Sequence, residues 1–149
     1  MIINKEEVEN AINFRHENID FIPKDNFDVR FDDTIARVCC DLAMKRHAGY
    51  IEVSYSPFGA MFAQFGKDLT QVKYLIGTGG VLVNNLEPVE ILKACNFDEE
   101  QSDSLRPMNP KYLLDKTYIL SAMGLLSMRE PDLALRILKK YLVEIKEEQ

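Results

Sequence analysis

At 149 residues the chain suits one ordinary domain with a single sizeable core, and 46% hydrophobic with 28% charged residues is globular composition rather than disorder. A net charge of −6, with no clustered Lys/Arg segment, excludes non-specific nucleic-acid binding, which needs a basic stripe. Cys39, Cys40 and Cys95 lack disulfide or metal spacing and read as small apolar residues of a reducing cytoplasm. No signal-peptide pattern and no membrane-length apolar run is present, so a cytoplasmic protein is expected.

Asn4-Lys-Glu-Glu7 has the spacing of a capping box, and Val8, Ala11, Ile12 and Phe14 give the helix that follows a modest apolar face. His16 lies on its polar side without partners at ligand spacing. A short extended piece covers 19–23 and a loop covers 24–28. Asp32 or Asp33 is expected to cap the next helix, which runs to His47. Ile35, Ala36, Val38, Cys39, Cys40, Leu42, Ala43 and Met44 leave only Arg37, Asp41 and Lys45 as a polar line, an exposed ladder at i, i+4, i+8. A helix so apolar is expected to be buried on most sides. Arg46 and His47 close it as a basic last turn, with Gly49 in the left-handed position; contact with an anion or substrate is the functional alternative for both.

Ile51 to Tyr55 alternates like a half-buried strand, Ser56-Pro-Phe-Gly59 is turn chemistry, and 60–65 returns as the partner strand of a hairpin. Lys67 and Asp68 follow in a loop, as solvated residues or ligand contacts. The chain is organised around what comes next. Val72 to Ile76 is a short apolar strand running into Gly77-Thr78-Gly79-Gly80, and glycines there let the backbone approach a ligand above the strand end. Pro88 opens a short helix to about Cys95, with Val89, Leu92 and Cys95 inward. An acidic loop spans 97–103, two prolines make a turn of 106–110, and 111–115 is a strand whose Asp115, or Thr117, caps a helix over 118–128. Gly124 inside that helix costs about 1 kcal/mol against alanine, so close approach of a backbone or ligand is expected there. Pro131 opens a last amphipathic helix with the stripe Ala134, Ile137, Leu138, Tyr141, Leu142, Ile145. The order predicts an α/β fold, a mixed sheet flanked by helices.

Arg46-His-Ala-Gly49, Tyr55-Ser-Pro-Phe-Gly59, Gln64-Phe-Gly-Lys-Asp-Leu69 and Ile76-Gly-Thr-Gly-Gly80, in that order, resemble the C-terminal part of the glutamate-mutase-associated MutL/GlmL family. Leu113-Leu-Asp-Lys-Thr-Tyr118 and Ala122-Met-Gly124 extend the resemblance, which covers roughly residues 30 to 145. The resemblance implies the second lobe of an actin, Hsp70 or sugar-kinase type ATPase (ribonuclease H-like), as a single domain with 1–30 as a helical lead-in and 31–149 as the lobe. It implies ATP or ADP bound through Gly77, Thr78, Gly79 and Gly80, with Gly124 packing its helix near the same site, and magnesium only in the complete protein. It implies a chaperone or reactivating role toward an adenosylcobalamin-dependent aminomutase.

The chain contains no Asp-x-Gly hairpin of the kind that holds phosphates and magnesium in the first lobe of such ATPases. No catalytic residue or metal ligand is therefore assigned, and the isolated chain is not expected to hydrolyse ATP. The expected partners are an N-terminal ATPase lobe or equivalent chain, the mutase, and a second copy through an exposed interlobe face. The alternative is a non-enzymatic interaction or oligomerisation module. A self-sufficient small enzyme built on Arg46, His47, Lys67 and Asp68 lacks a nucleophile–base pair.

Overall fold

The computed structural model describes residues 4–146, and the chain divides into two compact units, Met1–Asp32 and Asp33–Gln149. The first unit is held by a few local devices. Helix α1 (Lys5–Glu17) begins with the expected capping box: Asn4 Oδ1 accepts the Glu7 N–H at 2.9 Å and Glu7 Oε2 accepts the Asn4 N–H at 3.0 Å. Its Arg15 pairs with Asp28 at 2.8 Å and with Asp32, and its guanidinium lies 4.6 Å from the ring centroid of the buried Phe31. Helix α2 (Asn26–His47) starts earlier than the sequence suggests. Asp25, not Asp32 or Asp33, caps it: its carboxylate accepts the Asp28 N–H at 2.8 Å and its carbonyl accepts the Val29 N–H.

The second unit carries a mixed sheet in the order β3-β4-β5. Strand β3 (Tyr74–Gly77) lies parallel to β4 (Lys111–Asp115), and β4 lies antiparallel to β5 (Leu142–Ile145). Helices α3 (Gly80–Val83), α4 (Pro88–Leu92), α5 (Leu120–Ser127) and α6 (Pro131–Tyr141) complete the expected α/β arrangement. Its core gathers Val89, Ile91 and Leu92 of the short α4 with Cys95, Leu105, Leu114 and Ala134. Strand β5 corrects the expected last helix. That helix stops at Tyr141, and Leu-Val-Glu-Ile instead pairs with β4, where the β-branched Val143 and Ile145 suit a strand and the run satisfies an otherwise open strand edge.

Strands β1 (Tyr50–Ser56) and β2 (Gly59–Phe65) form a separate antiparallel hairpin, in register from Tyr50↔Phe65 to Ser56↔Gly59. It is fastened at its base, where Tyr50 bridges Ser104 and the Ile51 N–H donates to the Asp103 carbonyl at 2.8 Å. Gly49 is part of that fastening, but not as a left-handed cap. A Cβ there would fall 2.2 Å from the Phe65 carbonyl oxygen, so only glycine lets the two segments cross.

Two burial expectations are overturned. Strand β1 is exposed along most of its length rather than half-buried. Of α2 only Phe31 is buried, and Val38 and Leu42 face solvent. Asp41, expected on an exposed ladder, points at Arg106 with an Nη1–Oδ1 distance of 2.7 Å. The reason is Arg106 itself, 1% exposed: a buried guanidinium has to find a counter-charge, and this fixes the rotation of the helix.

Candidate functional site

Two parallel strands end side by side, Gly77 of β3 opposite Leu114 of β4, and each continues into a turn and a helix. This is the edge of an α/β sheet at which ligands bind. Asp115, 1% exposed, ties the two turns together. Its Oδ2 accepts the Thr78 hydroxyl at 3.2 Å and the Leu120 N–H at 2.9 Å, while Oδ1 accepts the Ile119 N–H at 3.1 Å. Ile119, not Asp115 or Thr117, is the N-cap residue of α5, but the Asp115 carboxylate accepts the N–H groups at its start and also holds the glycine turn, which nothing in the sequence indicates.

The five residues of the expected nucleotide site have different surroundings. Gly77 is explained by packing, since a Cβ would lie 3.0 Å from Leu82 Cδ1 and 3.1 Å from Leu92 Cδ1. Thr78 is engaged by Asp115. Gly79, at φ +104°, is the first residue with open space in front of it, with no atom within 4 Å of a would-be Cβ. Gly80 faces the Tyr118 hydroxyl at 3.4 Å on the same construction. Tyr118 has φ +56°, a left-handed conformation rare for an aromatic residue, and its hydroxyl beside the turn went unsuspected in the sequence. Gly124 also opens onto free space, so among the described residues no neighbouring backbone requires a glycine there.

The second set lies at the foot of the hairpin. His47 Nε2 and Lys67 Nζ are 3.5 Å apart, and Arg46 is exposed on the last turn of α2. Asp68 accepts the Thr70 hydroxyl at 2.6 Å and the Thr70 N–H at 2.9 Å, which lowers its pKa and makes it a turn-former. Their hydrogen bonds do not reach the glycine turn. A cavity of about 580 Å³ runs from Asp33 and Arg37 past Asn85 to Lys116, and one of about 700 Å³ lies between Asp41 and the acidic segment at Asp98. Neither is lined by the glycine turn. Among the described residues, no group of three or more His, Cys, Asp or Glu is placed to hold a metal, and no helix is long and apolar enough to cross a membrane.

One thiol pair also escaped notice in the sequence. Cys95, buried beneath α2, approaches the Cys40 carbonyl at 3.9 Å. The hydrogen bond between the two thiols pulls Cys40 down to about 7 and pushes Cys95 up, with burial adding to the rise.

The sequence model described as MutL protein matches residues 1–142. The chain belongs to the MutL protein family. Protein MutL of Clostridium tetanomorphum is 50% identical over 142 residues, which are 95% of this chain and 31% of that relative. The chain therefore spans about a third of the curated MutL protein it matches. No solved structure matches it.

Proposed function

We propose that this chain is the adenosine-side lobe of a MutL/GlmL-type, ATP-dependent chaperone or reactivating protein, serving a cytoplasmic adenosylcobalamin-dependent aminomutase such as glutamate mutase. The observation that carries the reading is the glycine turn at the paired strand ends, pinned from below by Asp115. Membership of the MutL family supports it. The lobe is read as that of an actin-like ATPase. Gly79 and Gly80 are the residues that would receive ATP or ADP, since the space a side chain would fill is open at the first and bounded only by Tyr118 and Asn84 at the second. Gly77 supports the turn by packing, and Gly124 leaves room on α5.

Hydrolysis requires groups that position the γ-phosphate and exclude water, and these belong to a complementary lobe. This chain holds the nucleotide, and the complementary lobe supplies magnesium and catalysis. Calorimetry with ATP and ADP tests the assignment. Binding to the chain is expected to be weak and turnover undetectable. Gly80→Val, at a position where an added Cβ meets only ordinary contacts, is expected to abolish binding without unfolding the chain. Unchanged binding in that variant would sink the nucleotide site.

The exposed hairpin favours a second reading, an interaction module derived from such a lobe. A partner bound with equal affinity with and without nucleotide would decide for it.

A further inference from the structure

The β1–β2 hairpin is an arm rather than a finished layer. Beyond the bridge at Tyr50, neither of its edges is paired among the described residues. Its two faces follow from the register. One carries Val53 opposite Phe62 with Tyr55 beside them; the other carries the stacked Tyr50 and Phe65, centroids 5.5 Å apart, and Met61. Phe62 is 72% exposed, and Phe58 at the tip is 100% exposed. Strand β2 reads Gly-Ala-Met-Phe-Ala-Gln-Phe, apolar but for Gln64, while β1 adds Glu52, Ser54 and Ser56 to the face of Met61. The β2 run has the pattern of a strand covered on both faces, and a two-stranded ribbon is marginal in water by itself.

We propose that this arm is an insertion element, seated in the part of the MutL family polypeptide that lies outside this chain. The occupant follows from two observations. The curated relative devotes only 31% of its length to the region matched here, so more than two thirds of a MutL protein is available to cover the arm. Each face exposes large apolar side chains, Val53, Tyr55 and Phe62 on one and Tyr50, Met61 and Phe65, beside Glu52 and Ser54, on the other, so there is apolar surface to cover on both sides. A two-fold contact with a second copy presents one self-complementary patch and leaves the opposite face wet. The inference rests on the reading of the chain as one lobe of a larger protein, but not on nucleotide binding.

Hydrogen–deuterium exchange on this chain and on full-length Clostridium tetanomorphum MutL tests it without nucleotide. Amides of the segment aligned with 50–65 are expected to exchange at least tenfold more slowly in the full-length protein. That protection is expected to be independent of protein concentration. Equal exchange in the two proteins would overturn the proposal. So would protection that vanishes on dilution, which would make a second copy the occupant. Adding ADP separates this result from the nucleotide assignment: a full-length protein that ignores ADP but protects the arm refutes only the latter.

Discussion

Gly49 and Gly124 are both glycines at helix-associated positions, and they have opposite reasons for being there. A Cβ at Gly49 meets the Phe65 carbonyl oxygen at 2.2 Å and the Gly66 backbone at 2.8 Å, neither of which yields without moving the hairpin base. Gly49→Ala is expected to destabilise the fold by more than about 2 kcal/mol, the scale of overpacking against backbone. Gly124→Ala meets nothing and gains helix propensity, so the denaturation midpoint is expected to rise by the equivalent of about 1 kcal/mol. If α5 flanks the nucleotide, the same Gly124→Ala variant binds ADP more weakly while being more stable. Cys40 gives a pH-dependent outcome. Its pKa is lowered to about 7 by the Cys95 thiol, so the folded state favours its thiolate. That contribution to stability is fully present above the unfolded thiol value, roughly 8.5, and is lost as pH falls through 7. Cys95, shifted up by the same bond, contributes with the opposite sign, and its share is lost as the solution becomes strongly alkaline. In a Cys39→Ser background, alkylation of Cys40 by iodoacetamide is expected to show a midpoint near pH 7, moving up in Cys95→Ala.

Helix α2 shows where one-dimensional reading succeeds and where it fails. Its existence and its end at His47 were legible, because the basic last turn and the composition are local signals. Its rotation was not, because that depends on Arg106, a residue far along the chain, being buried and requiring Asp41. The same division runs through the site. The glycine turn and the strand leading into it were readable from local chemistry. The Thr78–Asp115 bond, the left-handed Tyr118 and the pairing of β5 with β4 were not, since each depends on a neighbour brought in by the fold. The Asp41–Arg106 account has its own check. Asp41→Ala leaves a buried guanidinium without its counter-charge, whereas Arg106→Met removes the charge and keeps apolar volume. Asp41→Ala is therefore expected to cost about 2–4 kcal/mol, reduced from the fully buried case by the partial exposure of Asp41, and Arg106→Met is expected to cost less. Urea denaturation of the two variants orders them, and the reverse order would remove Arg106 as the cause of the helix rotation.

At the scale of the whole molecule, the second unit has a core built from short elements, while large side chains on the hairpin and on α2 remain in water. Exposed apolar surface of this kind marks a face meant to be covered. Its consequence for the chain in solution can be separated from its consequence for folding. Phe58 and Phe62 contribute little burial here, so Phe58→Asp with Phe62→Asp is expected to shift the unfolding free energy by no more than about 0.5 kcal/mol, the range of surface substitutions. The same pair of changes is expected to lower binding of a hydrophobic dye and to suppress concentration-dependent association, measured by light scattering during size-exclusion chromatography. A large loss of stability would mean that the arm already packs against this chain and needs no other cover. Unchanged dye binding would shift attention to Val38 and Leu42 on α2 as the dominant exposed face. Because the charges are added at the tip and on one strand face, the glycine turn is left as it was. ADP binding by the double variant should therefore match the parent chain, which keeps the proposed nucleotide site and the proposed seating of the arm separately measurable.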